Sequence, residues 1–120
     1  MAAKLILDVD TGIDDALAIA YALGSPELEL IGVTCTYGNV TTERAVRNSL
    51  AVLALLGRTD IPVFAGPACA SRADSFEPSS LVRRIHGDNG LGGVRIPDSP
   101  RPAEQGGAVD FIVESARRHG

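Results

Sequence analysis

Short apolar runs alternate with helical patterns over the first 65 residues, and this alternation restricts the possible fold more than any other feature. The predicted strands are residues 5–7, 28–37 and 61–65, each rich in aliphatic or β-branched side chains. Between them, residues 13–23 and a longer stretch ending at Gly57 carry apolar side chains at helical spacing. A helix between consecutive strands is the connection that parallel pairing needs. The pattern predicts an α/β chain of order β-α-β-α-β, half of a Rossmann-like, doubly wound and mainly parallel sheet.

The second helical pattern is the longer of the two. Thr41 or Thr42 is its predicted N-cap, because a hydroxyl there can accept a backbone N–H, and Gly57 is its predicted C-terminal cap. The spacing predicts a buried stripe of Ala45, Val46, Leu50, Leu53, Ala54 and Leu56.

Residues 67–105 follow neither period, and a loop of that length is usually functional. A helical turn is predicted over residues 78–85. It is followed by the sequence "HGDNGLGG", which starts at His86 and has four glycines in eight residues. Helical spacing resumes over residues 109–116.

The chain of 120 residues is long enough for one domain with its own core, so we expect residues 1–120 to form a single α/β domain. The net charge of −4 and the lack of a basic stripe argue against nucleic acid as a partner. No apolar run approaches the roughly 20 residues of a membrane span, and no signal-peptide pattern is visible. These features predict a soluble, cytoplasmic protein without a membrane partner. Cys35 and Cys69 have no metal-ligand or disulfide spacing, and we expect Cys35 to be a core residue.

The most informative motif is "DVDTGIDDA", which places four carboxylates in eight residues directly after the first strand. Two unit charges about 4 Å apart repel by roughly 4 kcal/mol at an effective dielectric near 20, so the cluster calls for a positive partner. Asp10 and Asp15 flank Gly12, which allows a sharp turn, and both could reach one hard cation such as Ca²⁺. Asp14 would then accept a hydrogen bond from a hydroxyl-bearing ligand, and Asp8 could orient the turn through backbone amides.

Three motifs follow the three predicted strands. Asp10 comes after the first strand, Asn39 after the second and Gly66 after the third. Ligands of open parallel sheets bind outside the carboxyl ends of the strands. We therefore expect these residues to project from one rim and to form a site.

The motifs "DVDTGIDDA", "YGNV" and "HGDNGLGG", in this order, resemble those of the inosine-uridine-preferring nucleoside N-ribohydrolases, and the resemblance extends over essentially the whole chain. It implies hydrolysis of the N-glycosidic bond of ribonucleosides to free nucleobase and ribose, with one Ca²⁺ held by Asp10 and Asp15. It further implies that Asp10 is the general base on the attacking water, and that Asp14 and Asn39 bind ribose. His86 would lie on a mobile loop that closes over the substrate.

Members of this family are much longer, so the resemblance implies that residues 1–120 are the N-terminal part of a longer nucleoside hydrolase domain. The later part of the family's chain supplies further calcium ligands and the histidine that protonates the leaving base. The resemblance also implies that the protein forms a homo-oligomer, either a dimer or a tetramer.

Simpler interpretations stand beside each residue of the motifs. Asp14 and Asp15 could serve simply to complement a helix dipole, without binding a ligand. Asn39 could be a turn residue, and His86 could be an exposed histidine. Asp88 and Asn89 suit turns at least as well as binding.

Two alternatives to hydrolysis by this chain remain. One is a truncated, catalytically incompetent fragment of the same family. The other is a magnesium-dependent aspartate-nucleophile phosphatase, which also carries two aspartates two residues apart after its first strand. That pattern requires Thr or Val two residues beyond the second aspartate, where this chain has Gly12.

Overall fold

The computed structural model describes residues 1–120, which form a three-stranded parallel sheet and four helices. The elements are β1 (Ala3–Val9), α1 (Ile13–Gly24), β2 (Leu28–Cys35), α2 (Thr42–Leu55), β3 (Val63–Ala65), α3 (Ser80–His86) and α4 (Ala108–His119). The strand order is β1-β2-β3, and both neighbouring pairs are parallel. The predicted β-α-β-α-β order and its parallel pairing are confirmed.

The strand boundaries differ from the prediction at both edges of the sheet. β1 is longer than the apolar run because backbone pairing continues through polar residues, from Ala3 opposite Leu28 to Val9 opposite Cys35. β3 is shorter, beginning at Val63, because Pro62 has no N–H to donate to a ladder. A register shift after Leu5 marks a bulge between β1 and β2.

Helices cover both faces of the sheet. The Cys35 thiol lies 3.5 Å from the Ser49 hydroxyl of α2. Three residues earlier, Gly32 lies against the ring of Phe111 in α4. Because successive strand residues point to opposite faces, α2 and α4 pack on opposite sides of β2. The core lies mainly on the α2 side, where Ile19, Val33, Cys35, Leu53 and Val63 are all 1% exposed or less.

The predicted buried stripe of α2 is partly wrong. Ala45 and Leu53 are buried, but Val46, Leu50 and Ala54 are only half-buried and Leu56 is exposed. The helix is rotated so that polar residues share its inward face, since Asn48 and Ser49 are also buried and hydrogen-bonded. The caps were predicted correctly.

The Thr41 hydroxyl accepts a hydrogen bond from the Arg44 amide, as an N-cap does, while Gly57 has a φ of +73° two residues after the helix ends.

The segment from residue 67 to residue 105 contains one short helix. α3 begins two residues later than predicted and ends on His86, so the glycine-rich loop starts at the C-terminus of this helix. No helix in the structure has the length and apolar character required to cross a membrane.

Candidate functional site

The carboxyl ends of β1 and β2 bring Asp10 and Asn39 together. The Asn39 backbone N–H donates to Oδ2 of Asp10 at 2.7 Å. Gly38 allows this approach, because a Cβ built at position 38 would overlap with that oxygen and lie 3.0 Å from Cγ of Asp10. The predicted convergence of the motifs at one rim is present for these two residues.

Asp15 lies in the first turn of α1 beside Asp10, where its surroundings disfavour the ionised form of its carboxyl group. Burial, a side-chain hydrogen bond with Asp10, and the charges of Asp10 and Asp14 raise the pKa of Asp15 to about 6, against the effect of a backbone hydrogen bond from Gly12. Its Oδ2 is buried without a hydrogen-bond partner. Buried polar atoms are nearly always satisfied, so this oxygen indicates a ligand position.

His86 covers the turn that carries the aspartates. Its side chain is 12% exposed, and Nδ1 accepts a hydrogen bond from the Ile13 amide at 3.2 Å. The interpretation of His86 as a freely exposed histidine is therefore wrong. Since Nδ1 is an acceptor, the neutral ring carries its proton on Nε2 in this arrangement.

Asp14 points outward at the edge of this group, with its side chain 71% exposed. Its Oδ1 lies 3.8 Å from Nδ1 of His86, too far for a hydrogen bond. Asp14 is thus free to accept hydrogen bonds from a ligand.

Asp8 and Gly66 have structural partners instead. Asp8 accepts a hydrogen bond from the Thr34 hydroxyl at 2.7 Å, so its partner is a neighbouring side chain and not the backbone amides expected from the sequence. The Gly66 amide donates to the Cys35 carbonyl at 2.7 Å, and a Cβ there would lie 2.6 Å from that oxygen. Both contacts fix the rim on which Asp10 lies.

A buried polar group beneath the turn was missed in the sequence. The Thr11 and Ser49 hydroxyls are 2.6 Å apart, and Asn48 donates to the Thr11 carbonyl at 3.1 Å. Asn48 and Ser49 interrupt the apolar pattern of α2, but their spacing in the sequence alone does not show that they face inward.

The residues at the rim suit part of a hard-cation site. Asp10 and Asp15 provide carboxylate oxygens, which Ca²⁺ prefers, and Oδ2 of Asp15 lacks any protein partner. No group of three or more His, Cys, Asp or Glu side chains is arranged to hold a metal ion. Two carboxylates fit such an ion, with the rest of its six to eight oxygen ligands coming from other sources.

Comparison with known proteins identifies the family. The family model described as inosine-uridine preferring nucleoside hydrolase matches residues 5–120. A purine-preferring ribonucleoside hydrolase from Gardnerella vaginalis superposes with a TM-score of 0.96 at 59% identity, over 98% of this chain and 37% of that one.

Two sequence relatives also match most of this chain. A probable uridine nucleosidase of Arabidopsis thaliana is 44% identical over 115 residues, which cover 95% of this chain and 35% of that protein. An uncharacterised protein of Corynebacterium ammoniagenes is 57% identical over 93 residues, 78% of this chain and 97% of its own length.

The chain therefore spans little more than a third of the length of the nucleosidase and of the hydrolase, and it matches their N-terminal part. Enzymes of this kind are generally metal-dependent. The order of the motifs, the parallel sheet and these matches lead to one conclusion: the chain belongs to the inosine-uridine preferring nucleoside hydrolase family.

Proposed function

We propose that this chain supplies the N-terminal part of a calcium-dependent ribonucleoside hydrolase site, which cleaves the N-glycosidic bond to give free nucleobase and ribose. The observation that carries the proposal is the Asp10 and Asp15 pair at the rim, in which Oδ2 of Asp15 is buried and has no hydrogen-bond partner. Family membership favours this reaction over the phosphatase alternative.

Asp10 and Asp15 would hold the Ca²⁺. When bound, the ion lowers the pKa of water and orients hydroxyl groups of the sugar. The proton that Asp15 retains below about pH 6 would then be released, since a carboxylate must be ionised to act as a ligand.

Asp10 is proposed as the general base. The Asn39 amide fixes the orientation of the carboxylate through Oδ2, and the carboxylate would accept a proton from the attacking water. Cleavage at the anomeric carbon passes through an oxocarbenium-like state, and a fixed carboxylate beside it also stabilises the developing positive charge.

The remaining residues are proposed to bind and enclose the nucleoside. Asp14 would accept a hydrogen bond from a ribose hydroxyl, and the Asn39 carboxamide would contact ribose or the attacking water. His86 would shield the site from bulk water, as closing segments do in other enzymes.

The proposed substrate is a ribonucleoside, with no nucleic-acid or membrane partner. A homo-oligomer, dimer or tetramer, and a cytoplasmic location remain predictions from the sequence. The names of the relatives include a purine-preferring hydrolase and a uridine nucleosidase, so both inosine and uridine belong in the test.

Ribose release from inosine and uridine, measured with Ca²⁺ and with a chelator, tests the proposal. We expect release that requires Ca²⁺ and that is abolished in Asp10→Ala. No release, together with calcium-insensitive melting, would support the alternative of an incompetent fragment. Release of phosphate from a monoester with Mg²⁺, and none of ribose, would support the phosphatase.

A further inference from the structure

Asn48 joins two segments of the site from below. Its side-chain amide donates to the Thr11 carbonyl at 3.1 Å and to the Asn89 carbonyl at 2.8 Å, and the residue is 3% exposed. Thr11 belongs to the turn that carries Asp10, whereas Asn89 follows His86 by three residues. A primary amide has two N–H donors, so Asn48 can make both bonds at once.

The segment 86–93, here called the His86 loop, is braced within itself. Oδ1 of Asn89 accepts hydrogen bonds from the Leu91 and Gly93 amides, both at 2.9 Å. The Gly92 amide donates to the His86 carbonyl at 2.8 Å. These bonds make the loop one unit, so a contact at Asn89 also fixes His86.

Gly90 allows this loop to pack directly against Asn48. Its φ of +79° is in the left-handed region, and a Cβ there would lie 2.6 Å from Cγ1 of Val40, 2.9 Å from Nδ2 of Asn48 and 3.1 Å from the Thr11 carbonyl oxygen. The loop therefore cannot lie closer to α2. Asn48 sets its position relative to the aspartate turn.

We propose that Asn48 is a positioning residue that sets the spacing between the His86 loop and the aspartate turn. The loop is attached to the turn twice, by His86 on the Ile13 amide and by Asn89 through Asn48 to Thr11. Removing the amide leaves only the first attachment. The consequence for catalysis rests on the proposed function, but the structural coupling does not.

Amide hydrogen exchange of the full chain tests the coupling. In Asn48→Ala, the amides of Leu91, Gly92 and Gly93 should exchange about fivefold faster relative to the Val33 amide in the core, the effect of about one net hydrogen bond. The ¹⁵N resonance of His86 Nδ1 should shift as well. Unchanged relative exchange of the three loop amides would overturn the proposal.

Ser49→Ala is the matched control, because Ser49 is the next buried residue of α2 and bonds the Thr11 hydroxyl but not the His86 loop. It should alter loop and core amides equally, and a selective effect on the loop would contradict the role given to Asn48. If Asn48→Ala does not fold, Gly90→Ala tests the same contact, because the added Cβ would push the His86 loop away from the Asn48 amide. It should give the same selective exchange, and full protection would overturn the proposal.

Kinetics separate this proposal from the proposed function. With ribonucleoside as substrate, Asn48→Ala should raise KM by about tenfold and leave the calcium dependence unchanged. An unchanged KM, or a change in calcium dependence, would contradict the positioning role. Absence of ribose release in the unmodified chain would contradict the proposed function only, because the exchange measurement still tests Asn48.

Discussion

Gly12 and the imidazole of His86 are packed so closely that position 12 has no space for a side chain. A Cβ built at Gly12 would overlap with Nδ1 of His86 and lie 2.8 Å from its Cε1 and 3.0 Å from Nδ2 of Asn39. The φ of −94° at Gly12 is open to any residue, so close packing and not backbone conformation requires the glycine. The turn and the histidine that covers it are fitted to each other across 73 residues of sequence.

Gly12→Ala should displace His86 and break its hydrogen bond with the Ile13 amide. We expect a loss of about 1–3 kcal/mol in the free energy of unfolding, as for other overpacked positions. Urea unfolding measures the loss, and the imidazole resonances of His86 report the displacement.

Gly24→Ala is the matched control for this substitution. A Cβ at Gly24, the last residue of α1, has nothing within 4 Å, so alanine there should be neutral or stabilising by up to about 1 kcal/mol. Equal stability of the two variants, with His86 unshifted, would contradict the fit of Gly12 to His86.

The raised pKa of Asp15 predicts a pH dependence of folding in the presence of a chelator. In the folded chain the carboxyl group has a pKa of about 6, whereas an aspartate in the unfolded chain has its ordinary pKa of 3.8. The folded chain therefore binds the proton more tightly. The contribution of this group to stability is complete below about pH 4 and is lost as the pH rises through 6.

Asp15→Asn cannot ionise, so its stability should improve relative to the unmodified chain as the pH rises from about 3.5 to about 7, a range that includes both pKa values. Thermal unfolding of both proteins across this range measures the difference. A difference that does not change with pH would show that Asp15 is not held in its neutral form by the turn.

Phe111 packs α4 onto the face of the sheet opposite α2. Its ring stacks on Phe64 with centroids 4.0 Å apart and lies against Gly32, where a Cβ would be 2.5 Å from Cζ. Phe111→Ala should cost about 2 kcal/mol, less than the roughly 3–5 kcal/mol of a fully buried ring, because Phe111 is only half-buried. Chemical denaturation checks this value, with the exposed Glu114→Ala as control. Equal stability of both variants would mean that α4 does not depend on this contact.

The sequence was sufficient for the architecture and for part of the site. Helical and strand periods identified β1, α1, β2, α2 and β3, and parallel topology then placed Asp10 and Asn39 at one rim. These inferences succeeded because period and crossover geometry depend on local spacing.

Contacts between distant residues were out of reach of the same reasoning. The burial of His86 over Gly12 and the two bonds of Asn48 join segments at least 37 residues apart, and no local pattern encodes them. The inward face of α2 was misjudged for a related reason. Asn48 and Ser49 are buried because partners on the aspartate turn satisfy them, so polarity alone did not reveal which face is inward.

Calcium titration by calorimetry tests the central claim most directly, namely that the aspartate turn holds a cation. The unmodified chain should bind one Ca²⁺, and Asp15→Asn should weaken binding by at least about tenfold. Asp110→Asn, which also removes a first-turn carboxylate, should bind as the unmodified chain does, since Asp110 lies in α4. No saturable binding, or equal affinity in all three proteins, would contradict the account.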